Sequence, residues 1–305
     1  MATMAQVPFT KTALPYADQV ALLTQRGLLI NDPAAAERTL ASISYYRLSA
    51  YWYPFRRRDA QGALLDDVHP GTSFADVVAL YDFDRQLRLH VLDALERVEV
   101  ALRTAVTHRI GMTYGAFGHE DPANFHHQFR HEQWLTRLRE ETERSSDAFV
   151  GHYAARYQGF PALPIWMTTE LMSLGSLSTL YRGMLPADRR AVADPLGIHH
   201  KRLQDWLHVL TYVRNVCAHH SRLWNRELAI RPDHMPEAEW RPPHLPRLDR
   251  VFAILLILSY LLQRLGNGAT WRAEVTALLA PMAAHPRWLS AMGMSPQWMQ
   301  HPYWI

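Results

Sequence analysis

The stretch LYDFDRQLRLHVLDALERVEVALRTAV, residues 80–106, decides the fold. Its apolar residues Leu80, Phe83, Leu87, Val91, Leu95, Val98, Leu102 and Val106 follow one another by three or four positions throughout. A helix, at about 3.6 residues per turn, gathers that spacing into one stripe. The other face carries Asp82, Arg85, Arg88, Asp93, Glu96, Arg97, Glu99 and Arg103. The pattern predicts one long helix that begins near Ser73, ends at Gly111 and packs centrally.

Outward from it, the same reading predicts helices over 14–29, from Asp32-Pro33 to about Tyr51, and over 132–145, 147–157, 165–181, 187–193 and 199–218. Asn31-Asp32-Pro33 is a helix start, a capping side chain followed by proline in the first turn. Residues 56–72 read as a loop or small hairpin, and 111–131 as a loop rich in Gly, His and aromatics. Five prolines between Arg231 and Arg247 require an extended connection, which is followed by helices at 251–265 and 271–280. No strand-like alternation runs through the chain, so the expected class is all-α, a helical bundle with additional helices. No break in composition marks a second domain, and a single domain over 1–305 is expected.

The chain is 48% apolar and 20% charged, which is ordinary for a globular protein. Its net charge is only +3, so gross charge demands no nucleic-acid partner. Apart from Lys11 and Lys201 every base is Arg, which reads either as phosphate binding or as compositional bias. The single cysteine, Cys217, makes neither an intrachain disulfide nor a cysteine-based zinc site, and suits a reducing compartment. Met1 to Leu14 shows no basic start followed by an apolar run. The most apolar stretch, 251–262, is short of the roughly 20 residues that span a bilayer and reads as a core helix. A cytoplasmic protein with no membrane partner is expected.

The chemistry lies in LHVLTYVRNVCAHHSRLWNREL, residues 207–228. Leu203, Trp206, Leu207, Leu210 and Val213 form a buried stripe, with Arg214 at its edge. A guanidinium there needs a partner, either a carboxylate or a ligand phosphate. Arg214 and His219 are five residues apart, about 140° around an ideal helix. They converge if the helix loosens near Ala218, or if two copies face each other across a two-fold axis.

RNVCAHHSRLWN, residues 214–225, resembles the Arg–x(4–6)–His signature of HEPN ribonucleases, with Asn215 as the polar residue after the Arg. The chain also resembles the abortive-infection (Abi, AbiD/AbiF-type) family at successive points over about residues 15–230. These are LLTQRGLLI from Leu22, ISYYRLSAYWYPF from Ile43, LYDFDRQLR from Leu80, ALERVEVALRT from Ala94 and PIWMTTELMSLGSLSTLY from Pro164. The resemblance implies a HEPN-like helical bundle that cleaves RNA without a metal or other cofactor. His219 would take the 2′-OH proton, Arg214 would steady the phosphoryl oxygens, and Asn215 would orient one or the other. His220 is the alternative base. The implied partners are RNA, a second copy of the chain, and a regulatory non-coding RNA or antitoxin.

Quieter readings stand beside these. Arg103 and His108 repeat the Arg-x4-His spacing, either as a second half-site or as an Arg tied to Glu99 one turn away. Glu96, Glu99 and Arg103 share a face and are candidates to support Arg214. Arg56, Arg57 and Arg58, beside an aromatic cluster, and Arg222 are candidate RNA contacts. His127 and His131 have a metal-ligand spacing but read better as a surface loop. Cys217 reads as a small buried hydrophobe. The same Arg and His residues serve a protein that cuts RNA and one that only grips it.

Overall fold

A computed structural model of the protein describes residues 8, 10–233, 237–242 and 244–305. The expectation for Met1 to Leu14 falls largely on residues 1–7 and 9, outside the described residues, as do Pro236 and Pro243 of the connection. The fold is all-α. The chain forms two compact units, 1–85 and 86–305.

The first unit holds α1 (Tyr16–Gln25), α2 (Pro33–Ile43), α3 (Tyr45–Trp52), a hairpin of β1 (Arg56–Arg58) and β2 (Leu64–Val68), and the start of α4 (Phe74–Tyr114). Asp32 caps α2 by accepting the Ala35 N–H at 2.9 Å, with Pro33 next, as the sequence predicts. The helix expected to run on to Tyr51 is interrupted. Ser44 takes φ 71°, and its hydroxyl accepts the Arg47 N–H to start α3. Serine competes for backbone hydrogen bonds and so favours caps over helix interiors. The 56–72 segment is a hairpin, its turn closed by Asp59 accepting from Gln61 and Ala63.

The second unit holds the rest of α4, then α5 (His131–Arg144), α6 (Ala148–Arg156), α7 (Ile165–Leu171), α8 (Leu174–Gly183), α9 (Pro186–Ala193), α10 (His200–Ala218), α11 (Val251–Arg264), α12 (Gly268–Ala283) and α13 (Pro286–Met292). Every residue of α11 from Val251 to Leu262 is buried. A buried Leu or Ile contributes about 1.5–3 kcal/mol, so this helix is a main source of the unit's stability. α10 packs against α8 and α9, and its Trp206 ring meets Tyr260 of α11 edge-on at 5.6 Å. α8 approaches α10 at Gly175, where a Cβ would lie 3.2 Å from Thr211 Cγ2. Among the described residues, no helix is long and apolar enough to cross a membrane.

Three expectations change here. The helix foreseen over 165–181 is two, because Met172 is extended and Ser173 caps α8 by accepting the Ser176 N–H. Arg103 Nη2 donates to the freed Met172 carbonyl at 2.9 Å. α4 runs three residues past Gly111, to Tyr114, and Gly115 takes the left-handed turn at φ 81°. His131 is not on a surface loop: it is 7% exposed, its Nε2 donates to the His119 carbonyl at 2.8 Å, and Phe125, Phe129 and Trp134 surround it. Helix α13 has no counterpart in the sequence reading.

Buried charge in this unit is paired. Asp188, 2% exposed, accepts from Arg109 Nε and from the Tyr114 hydroxyl, each at 2.7 Å. Burial and the Asp188 carboxylate push the Tyr114 phenol up to about 12. Two buried histidines lie the other way. Burial, then the neighbouring His131 and Arg139, lowers His119 to about 4. Burial, then His244, lowers His301 to about 4.

Both rings are therefore neutral when folded and take up a proton on unfolding below about pH 6.5. Stability should be full above that pH and fall as pH drops from about 6.5 towards about 4, by up to about 1.4 kcal/mol per pH unit for each histidine. Urea melts between pH 7.5 and 5 measure this, and His119→Gln should flatten the slope. An unaltered slope in that variant would assign the effect elsewhere.

Candidate functional site

The sequence of α10 sets two faces. Leu203, Trp206, Leu207, Val209, Leu210, Val213, Val216 and Cys217 are buried, whereas Lys201, His208, Asn215 and Ala218 are exposed. The helix then ends in a Schellman turn. The Ser221 N–H donates to the Val216 carbonyl and the His220 N–H to the Cys217 carbonyl, both at 3.0 Å. His219 is the C-cap residue, and its N–H donates to Asn215 O at 3.0 Å.

Such a turn needs a left-handed residue, usually Gly, and here His220 takes φ 54°. A non-Gly residue in that region is uncommon, although His is among the types enriched there. Beyond it the chain is anchored. Leu223 and Trp224 are fully buried, and the Trp224 ring meets Trp288 edge-on at 5.1 Å. Arg88, 5% exposed on α4, directs Nη1 at the Ser221 carbonyl at 3.5 Å. Arg250 Nη1 donates to Asn225 O at 2.8 Å.

Arg214 is half-buried, and its Nη1 donates to Asn215 Oδ1 at 3.3 Å. That bond turns the guanidinium around the helix towards the exposed face. Asn215 and His219 are one turn apart and so share that face. Arg214, Asn215 and His219 thus occupy the last exposed turn of α10, with His220 exposed on the turn that follows.

The other candidates are placed elsewhere. Arg103 Nη2 donates to Glu99 Oε1 at 2.8 Å, the pairing foreseen as the quieter reading. Among the described residues Arg214 bonds to Asn215, not to Glu96, Glu99 or Arg103. Glu96 and His108 are exposed on α4. Arg222 follows the turn and its carbonyl accepts from Arg226 Nε at 2.8 Å.

Within the first unit, Arg56 is bound into its hairpin by Leu65 O and by Asp66 at 2.6 Å, and Arg58 donates to Gly62 O at 2.7 Å. Arg57 is exposed. Cys217 is buried. Among the described residues no three His, Cys, Asp or Glu side chains gather as metal ligands. Sequence reasoning missed Arg88 as a brace of the site. Its signal was the spacing of three to Val91 and seven to Leu95, which sets Arg88 on the apolar stripe itself.

A family model described as Abi-like protein matches residues 38–225, a range that contains α10 and the turn after it. No curated protein and no solved structure matches the chain.

The turn has its own test. Because a left-handed residue is required at 220, His220→Gly should keep the fold and raise its stability by up to about 1 kcal/mol, while His220→Val should lower it. Thermal melts of the two variants read the difference. Equal destabilisation by Gly and Val would show that the backbone conformation is not what position 220 responds to.

Proposed function

The chain belongs to the Abi-like protein family, and from that premise we propose that it is a metal-independent endoribonuclease of the HEPN type that acts in phage defence. The family suggests abortive infection. The observation that carries the nuclease reading is the hydrogen-bonded Arg214–Asn215 pair, exposed one helical turn before His219. Arg is always charged and meets phosphate through a planar fork of donors. Neutral imidazole is the natural base near pH 7.

The step uses the substrate's own nucleophile. His219 accepts the proton of the 2′-OH, whose oxygen attacks the adjacent phosphorus. Arg214 binds the phosphoryl oxygens as charge builds on them. The bond from phosphorus to the 5′-oxygen breaks, and that oxygen takes up a proton. The products are a 2′,3′-cyclic phosphate and a 5′-OH. Asn215, already holding Arg214, sets the angle of the guanidinium. His220 carries the turn and is the second histidine within reach of a substrate on this face. We propose further that two copies pair with their α10 ends facing, so that Arg214 of each copy works with the histidine of the other.

His219→Ala should lower the cleavage rate by roughly 10²–10⁴, the scale for loss of a general base, with RNA affinity nearly unchanged. RNA with 2′-deoxyribose at the scissile position should resist the wild type, and EDTA should leave the rate unaltered. A time course with end-group analysis measures all three. Tight RNA binding by a wild type that makes no cuts would replace the enzyme with a binding module. Loss of cutting in His220→Ala but not in His219→Ala would move the base by one residue.

The shared cleft has a separate test. Arg214→Ala and His219→Ala proteins, each inactive, should regain cleavage when mixed and allowed to exchange. No recovery from a mixture shown to contain hybrids would place each site within one chain.

A further inference from the structure

The start of α10 carries an excess of positive charge. Arg190 and Lys201 are exposed, and His199 and His200 stack at 4.2 Å. Arg189 lies beside them, one of its nitrogens on Gln204 at 2.5 Å and its buried Nε without a partner. The Tyr181 hydroxyl shares its one proton between the carbonyls of Arg189 and His200, which fixes α9 against the start of α10.

Nearby acids offset little of this charge. Glu237 is paired with Arg202 at 2.9 Å, Asp188 is taken by Arg109, and Asp205 is half-buried beneath the Asp233 N–H. That leaves exposed Asp233, which lies against Asp205, and exposed Asp194, against Arg189, Arg190 and Lys201. The crowding registers on His200, which burial and then His199, Arg189, Arg190 and Lys201 hold below the usual histidine range. Cations concentrated in this way attract phosphate, and the positive end of the α10 dipole adds to them.

Two more observations point to a nucleic-acid strand. A cleft of about 90 Å³ opens at this end of the helix, lined by His199, Arg202, Trp206, Tyr260, Tyr303 and Glu237, whose carboxylate Arg202 neutralises. Trp206 is 1% exposed, and its indole N–H has no partner. The exposed His199 and half-buried Tyr303 rings at this cleft offer a base surfaces on which to stack. Lys201, His208 and Asn215 are seven residues apart and exposed, so they form one polar line on α10 that leads from the cluster to the candidate site. From Lys201 to Asn215 that line is roughly 21 Å long.

We propose that Arg190, His199 and Lys201 form a phosphate-binding site for the RNA strand, which then runs along Lys201, His208 and Asn215 to Arg214 and His219. This rests on the ribonuclease reading and adds to it the substrate's path. The base at the far end enters the cleft beside Trp206. The substrate is accordingly single-stranded over that length, since a paired base cannot enter a cleft.

The chain's two lysines make the test direct, because an amine-reactive label has only Lys11 and Lys201 as side-chain targets. The His219→Ala protein is labelled with and without a single-stranded RNA of roughly 16 nucleotides, a full site size, and the lysines are read by mass spectrometry. RNA should protect Lys201 several-fold and leave Lys11 unchanged. In the active protein, Arg190→Gln combined with Lys201→Gln should raise KM for the long RNA by roughly 10-fold with kcat held. The slope of log affinity against log salt should fall by about 0.7 for each phosphate contact removed. A dinucleotide, too short to reach the cluster, should be cut by the double variant as before. Cleavage by the wild type with Lys201 unprotected and the salt slope unaltered in the double variant overturns this path alone. A wild type that neither cuts nor binds RNA overturns the ribonuclease reading and the path with it. Protection of Lys201 by double-stranded but not single-stranded RNA overturns the cleft as a base site.

Discussion

The apolar side of α10 has to stay buried after the helix has ended. Val216 and Cys217 close the helix inside the core, and Leu223 and Trp224 must return to it six residues later. Between them the chain has to reverse, and a Schellman turn does this within three residues. The reversal leaves His219 and His220 exposed, with Trp224 buried four residues after His220. Arg88 supports the same turn from below through the Ser221 carbonyl. The candidate site is thus the wet side of a core constraint. Its histidines lie on the exposed reversal between two buried anchors, Cys217 before it and Leu223 after it.

Much of this is legible in the sequence where a periodic pattern is long. The α4 stripe is regular enough to exclude strand, and Asp32-Pro33 marks a helix start by the chemistry of its cap. Breaks inside helical patterns are less legible. Neither Ser44 nor Met172-Ser173 stops the apolar periodicity, and each break depends on a local cap that a window average hides. His131 illustrates a different loss. A Gly- and His-rich segment reads as surface, but three aromatic rings fold over it, and a carbonyl satisfies its Nε2. At the site, residue types and spacing are visible in the sequence, whereas the bond from Arg214 to Asn215 depends on rotamers that spacing does not encode.

The arginines divide into two groups. Arg109, Arg103, Arg56, Arg202 and Arg247 each hold a carboxylate, and most of these carboxylates tie one element to another or close a turn. These pairs neutralise charge locally, within a chain whose 32 bases are set against 29 acids. Three of the remaining bases are gathered in one place. Arg190, Lys201 and Arg214 sit on or beside a single helix, and they give it a sign that the composition as a whole does not show.

The buried run of α11 also bears on when the end of α10 can take its shape. Trp206, which anchors α10 to the core, packs on Tyr260, a residue that follows the site by some forty positions in the chain. A ribosome adding roughly 5–20 residues per second takes a few seconds to cover that interval. During it the nascent chain holds its Arg and His residues without the surface that orders them. The turn that carries these residues thus gains its supporting core only after α11 has been made.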